Sequence, residues 1–159
     1  LETRFNVACG GVLGYELDMS KFSEEELEIV SKQSAFYKEY RKVLQFGDYY
    51  RLGDAFGGNV TGFMTVSKDK NTAVAVVIAY EYIIAGPELT IGFKGLNPSA
   101  VYEVTTREQD NYKDVLSFTA GGDLLMNGKI PMRNLYADTQ SLENSRRLYA
   151  RMFVFKKAK

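Results

Sequence analysis

From Ser20 to Leu44 apolar side chains recur every three or four residues, whereas after Gln45 they fall into short runs separated by glycine, proline and asparagine. The first pattern predicts one long amphipathic helix and the second a series of β-strands. Leu27, Val30, Ser34, Tyr37, Arg41 and Leu44 form one stripe of that helix, with Ile29, Phe36, Tyr40 and Val43 beside or opposite it, so two faces need cover. A helix wedged between two structural layers would meet that need, which points to a junction between domains. Its start is marked by Ser23 and, three residues on, Glu26, a capping box that satisfies two amide donors otherwise orphaned at a helix N-terminus. Glu24, Glu25, Glu26 and Glu28 crowd the positive end of the helix dipole and Lys38, Arg41 and Lys42 the negative end, so helix stability accounts for most of this charge.

Ahead of the helix, residues 4–8 (Arg-Phe-Asn-Val-Ala) read as a short apolar strand ending in Cys9-Gly10-Gly11, where glycine permits a sharp turn. Downstream, strands are expected over roughly 46–52, 61–67, 72–80, 89–94, 100–106, 113–119, 123–126 and 147–156. Thr72 to Tyr80 is rich in Val and Ala and belongs in the centre of a sheet, while Leu148 to Phe155 alternates less cleanly and is expected to close it. Gly57-Gly58-Asn59, Gly86-Pro87, Gly95-Leu96-Asn97-Pro98 and Gly121-Gly122 supply turns. Strands at this spacing without intervening helices imply an antiparallel β-sandwich. The expected fold class is therefore mainly β, a sandwich preceded by one long α-helix and a short strand.

Composition narrows the chemistry. The 159 residues are 45% hydrophobic and 25% charged, with 20 basic and 20 acidic side chains, an ordinary globular balance without the basic footprint that nucleic acid or an anionic membrane requires. The longest apolar stretch, around Ala73 to Tyr80, is far too short to span a bilayer, and no charged-then-apolar leader opens the chain; a cytoplasmic setting is expected. Cys9 is the only cysteine and histidine is absent. Internal disulfides, thiolate or imidazole metal sites, and His-activated nucleophiles are thereby excluded, and no cofactor is implied. The chain opens without methionine, at Leu1-Glu2-Thr3-Arg4, inside what reads as ordered structure, as a fragment or processed product would.

Several segments carry a resemblance. Thr3-Arg4-Phe5-Asn6-Val7-Ala8, Leu13-Gly14-Tyr15-Glu16-Leu17-Asp18, Leu27 to Tyr37, Phe46-Gly47-Asp48-Tyr49-Tyr50-Arg51-Leu52, Gly95-Leu96-Asn97-Pro98 and Gly122-Asp123-Leu124-Leu125-Met126-Asn127 resemble, in order and spacing, the C-terminal end of bacterial α-galactosidases of glycoside hydrolase family 36. That resemblance implies a parent with an N-terminal β-rich domain, a central (β/α)8 barrel and a C-terminal sandwich. Residues 1–44 would then be the last strand and helix of the barrel, and residues 45–159 the sandwich. It also implies a retaining glycosidase with two catalytic aspartates, which need carboxyl groups about 5–5.5 Å apart. In relatives both lie on barrel strands upstream of the Thr-Arg-Phe-Asn-Val segment, so no aspartate of this chain inherits either role. Cys9 and Gly10 would stand at the C-terminal end of the final barrel strand, where barrel active sites are built, close to the sugar pocket of the intact enzyme. The remainder of the α-galactosidase chain is the implied partner, self-association through surface left exposed is expected, and α-galactosides would be met only through the intact enzyme.

Two other readings compete. Asp48 with Asp54, or Asp110 with Asp114, could be paired as acid and base, yet Asp beside Gly is a common turn composition. A free-standing carbohydrate-binding module would use exposed aromatics, and 11 Tyr and 10 Phe are available, although Trp is absent. Most of these rings lie on expected strands or the helix, where burial is the ordinary explanation.

Overall fold

The computed structural model describes residues 2–79, 90–108, 116–131 and 149–159. Two helices come first, α1 (Glu2–Ala8) and α2 (Glu24–Phe46), with a 3-10 turn at Met19–Lys21 between them. Strands β1 (Asp48–Gly53), β2 (Val60–Val66), β3 (Thr72–Ala79), β4 (Thr90–Ile91), β5 (Val101–Thr106) and β6 (Ser117–Gly121) follow. A short helix α3 (Gly122–Asn127) then precedes β7 (Ile130–Pro131) and β8 (Tyr149–Lys157). A six-stranded antiparallel sheet has the order β1-β2-β3-β8-β5-β6, and β4 pairs with β7 in a second, two-stranded sheet.

The period-two alternation of the central strands sorts two cores onto opposite faces of the large sheet. On β3, Ala73, Ala75, Val77 and Ala79 join Phe153 and Phe155 of β8 on one face, where Ile91, Phe93, Leu96 and Leu125 cover them. Val74, Val76, Met152 and Val154 point the other way, against Phe5 and Cys9 and against Tyr37, Tyr40 and Leu44 of α2. Burial on both faces explains why β3 is a continuous apolar run, and it is central as expected. The chain is thus a mainly antiparallel β-sandwich with a long helix near its N-terminus.

Ser23 caps α2 as expected, its hydroxyl accepting from the Glu26 amide at 3.2 Å while the Glu26 carboxylate accepts from the Ser23 amide at 3.0 Å. The helix is not wedged between two layers. Val30, Gln33, Tyr37, Tyr40 and Leu44 form one buried face, Arg41 faces solvent, and the second aromatic row is covered locally. Phe36 meets Phe5 of α1 edge-on at 6.2 Å and Tyr40 at 4.7 Å.

Three expectations are corrected. Residues 4–8 are helix, not strand: Phe5 and Cys9, one turn apart, are both buried on the sheet, a spacing of four that only a helix places on one face. Residues 123–126 are also helix, with Leu125 fully buried beside an exposed Leu124. An apolar run this short does not distinguish the two periods. The final strand does not close the sheet; β8 lies inside it, hydrogen-bonded to β3 on one side and β5 on the other. Residues 113–115 and 147–148 of the expected strands, position 89, and the Gly86-Pro87 turn lie outside the described residues.

Candidate functional site

The two candidate positions sit at the end of α1. Its last turn is tightened by Gly10 and Gly11, whose amides donate to the carbonyls of Val7 and Ala8, each at 3.1 Å. The Gly11 carbonyl in turn accepts from the Tyr37 hydroxyl at 3.0 Å, which accepts from the Gln45 side-chain amide at 2.9 Å, so α2 holds the turn in place. Cys9 is fully buried against the sheet whereas Gly10 is exposed. A β-carbon at Gly10 would stand 3.0 Å from the Phe63 ring, leaving little room for any other residue.

Burial pushes the Cys9 thiol up to about 12, opposed only in part by the positive charge of Arg107. A thiol held neutral is a poor nucleophile. In the folded chain at pH 8, a disulfide-exchange reagent is expected to leave Cys9 unlabelled over a period in which the chain in denaturant reacts fully. Rapid labelling without denaturant would contradict the burial. The sign of the linkage follows: the buried form is neutral, so the thiol's contribution to stability is complete below its ordinary 9.0 and is lost as pH rises toward about 12.

Beside this turn lies a buried polar clamp that no sequence motif signals. Arg107, at the end of β5, forms an ion pair with Glu2 of α1, the two side chains being only 7% and 12% exposed. The same guanidinium donates to Asn6 Oδ1 at 3.4 Å and stands 4.8 Å from the centre of the Phe5 ring. Asn6 Nδ2 donates to the Ala150 carbonyl of β8 at 2.9 Å. Helix α1 is thereby tied by charge and hydrogen bonds to the middle of the sheet.

The sequence motifs downstream meet on the opposite face. Gly95 has φ +78°, and a β-carbon there would stand 2.3 Å from the Tyr50 ring, so Gly-Leu-Asn-Pro and the Phe46–Leu52 run touch at this point. Leu96 is buried, and the Asn97 amide donates to the Tyr102 hydroxyl at 3.0 Å. A β-carbon on Gly122 would stand 2.1 Å from the Asn97 carbonyl oxygen, and the Gly122 amide donates to the Ala100 carbonyl at 2.8 Å. Three motifs scattered in sequence therefore converge on one packed corner, whose residues are fixed by contact and not by chemistry.

The carboxylates do not assemble a catalytic pair. Asp48 pairs with Lys68, and Asp54 accepts from the Phe56 amide at 3.0 Å in the following loop. Asp48 opens β1 and Asp54 follows its end, so roughly 20 Å separates them along an extended strand. Backbone and side-chain hydrogen bonds from Ser20, Phe56 and Ser67 lower the carboxyl groups of Asp18, Asp54 and Asp69, the opposite of what a general acid needs. Asp110 and Asp114 lie outside the described residues. Among the described residues no cluster of three or more acids or cysteine could hold a metal ion, and no helix is long and apolar enough to cross a membrane.

A two-sheet β-domain preceded by helices clamped to its face, with its motifs used for packing, defines an accessory domain of a multidomain protein. The melibiase family model matches residues 1–47 and the model of the glycosyl hydrolase family 36 C-terminal domain matches residues 60–143. The chain belongs to glycosyl hydrolase family 36. It is 39% identical over 107 residues to the α-galactosidase AgaA of Geobacillus stearothermophilus, a match covering 65% of this chain and 14% of the relative. Among solved structures, an α-galactosidase from Lactobacillus brevis is similar with a TM-score of 0.81 and 36% identity, over 99% of this chain and 20% of that one. AgaA in complex with 1-deoxygalactonojirimycin is similar with a TM-score of 0.80 and 30% identity, over 99% of this chain and 19% of that one. The chain thus spans about a fifth or less of the proteins it resembles.

Proposed function

We propose that this chain is the C-terminal region of a retaining, cytoplasmic α-galactosidase whose intact form hydrolyses terminal α-galactosides, and that this portion is a structural and assembly domain without catalytic residues. The observation that carries the reading is the pair of family models falling in order along one chain, the melibiase model ending at residue 47 and the C-terminal-domain model beginning at residue 60. Residues 1–44 complete the catalytic barrel and residues 45–159 form the sandwich that buttresses it, with α2 as the element common to both. Gly10, at the surface, is the member of the candidate pair able to approach a sugar; Cys9 shapes the turn from below.

The purified chain is expected to release no aryl alcohol from an aryl α-galactoside above the buffer blank, and measurable hydrolysis would sink the proposal. A calorimetric titration with raffinose tests the binding-module alternative, for which Tyr49 is the specific candidate. Its ring is 55% exposed and stacks on Phe63 at 5.8 Å, as a sugar platform would. No saturable heat is expected; saturation abolished by Tyr49→Ala would favour the module.

A further inference from the structure

The stretch between α1 and the 3-10 turn is built like a strand but lacks a partner. Val12 to Glu16 belong to no helix or ladder, and among the described residues no backbone group from Val12 to Leu17 enters a backbone–backbone hydrogen bond. Leu13 and Tyr15 are half-buried while Val12, Gly14 and Glu16 face solvent, an alternation with the period of a strand. The residues turned outward include two large apolar ones, Val12 at 85% and Leu17 at 50% exposed. A cavity of about 220 Å³ lies between this stretch and Arg4, Phe5 and Ala8 of α1. Beneath it the Tyr15 hydroxyl donates to Gln33 Oε1 at 2.5 Å, and the fully buried Nε2 of Gln33 has no partner. Unpaired backbone and unfilled apolar space together describe half of an interface.

We infer that Val12–Leu17 is a docking strand, and that its occupant is the free edge of a β-sheet in the part of a full-length family-36 α-galactosidase that this chain does not contain. The inference rests on the family reading above. Two observations select this occupant. Six of the ten large apolar side chains exposed among the described residues, from Val7 to Phe46, fall within residues 1–47, the portion matched by the melibiase model. The curated relative AgaA has only 14% of its length matched here, so most of a family member is available to cover that portion. Strand addition supplies affinity through main-chain hydrogen bonds and specificity through alternate side chains. Leu13 and Tyr15 would face the chain's own helices and Val12 the occupant.

The test uses this chain alone and as a chimera in which it replaces the 19% of AgaA that it covers. Hydrogen exchange is followed at the amides of residues 12–17, and hydrolysis of an aryl α-galactoside is assayed in parallel. The amides are expected to exchange about 100-fold more slowly in the chimera than in the isolated chain. Gly14→Pro deletes one amide donor where a β-carbon meets nothing within 4 Å. It is expected to leave the melting temperature of the isolated chain unchanged and to abolish the protection in the chimera, whereas Gly14→Ala retains it. An active chimera with amides as fast as in the isolated chain overturns the docking strand and leaves the family reading standing. Protected amides without hydrolysis support the docking strand and count against the family reading, and fast amides without hydrolysis overturn both. Amides already protected in the isolated chain, within a dimer seen by sedimentation, would identify a second copy as the occupant and overturn the inference.

Discussion

Replacing Arg107 with methionine is expected to cost about 3–5 kcal/mol of unfolding free energy, because it strands the Glu2 carboxylate in a site where the charge has lost its counterion. For a chain of this size that corresponds to a fall of roughly 10 °C in melting temperature. The expectation depends on burial. Both partners are nearly inaccessible, the guanidinium also serves Asn6, and the Phe5 ring beneath it offers a cation–π contact. The surface pairs Lys32–Glu28 and Lys156–Glu39 are well solvated, and cutting either is expected to change stability by less than about 1 kcal/mol. The informative experiment is a double-mutant cycle in urea. Glu2→Gln with Arg107→Met removes both charges and should recover most of the loss, since a buried ion pair is often worth no more than apolar packing of the same shape. A single Arg107→Met variant as stable as the parent would show that the clamp does not hold α1 to the sheet.

Gly95→Ala should be the second large effect, and it has two separable parts. An L-residue at φ +78° costs about 1–2 kcal/mol, and the new methyl must displace the Tyr50 ring, for a further 1–3 kcal/mol or so. In a Tyr50→Ala background only the backbone part should remain, about 1–2 kcal/mol. Equal costs in both backgrounds would mean that the ring moves aside freely and that the contact between these two motifs is incidental.

These two sites also mark the limits of reading the chain from its residues. The capping box of α2 is legible because Ser23 and Glu26 are three residues apart and their chemistry is local. The central position of β3 is legible because burial on both faces removes polar residues from the run. Helices α1 and α3 are misread because seven and six residues are too few for a period of 3.6 to separate itself from a period of two. The Arg107 clamp is invisible in sequence: its partners are 105 and 101 residues away, and one arginine after a strand has the look of any surface cation. The Gly-Leu-Asn-Pro and Gly-Asp-Leu-Leu-Met-Asn segments are recognisable as patterns, but their reason is spatial, in the contact of Gly122 with the Asn97 carbonyl. The candidate pair Cys9 and Gly10 is adjacent in sequence yet divided by the helix turn, one residue facing the core and the other solvent.

The interior position of β8 bears on how the protein is made. Strands β1 to β3 form one consecutive meander and β5 with β6 a separate pair, and no ladder joins these two groups until residues Tyr149–Lys157 enter between them. On a ribosome the two groups would emerge first, each with an unpaired edge and an apolar face, and would wait for a strand encoded after both. Loop closure over such separations is slow, and open edges invite pairing with other nascent chains. A chaperone that shields strand edges should therefore raise the yield of folded chain more than one that acts on completed protein, and stalling translation just before Tyr149 should leave a product that aggregates.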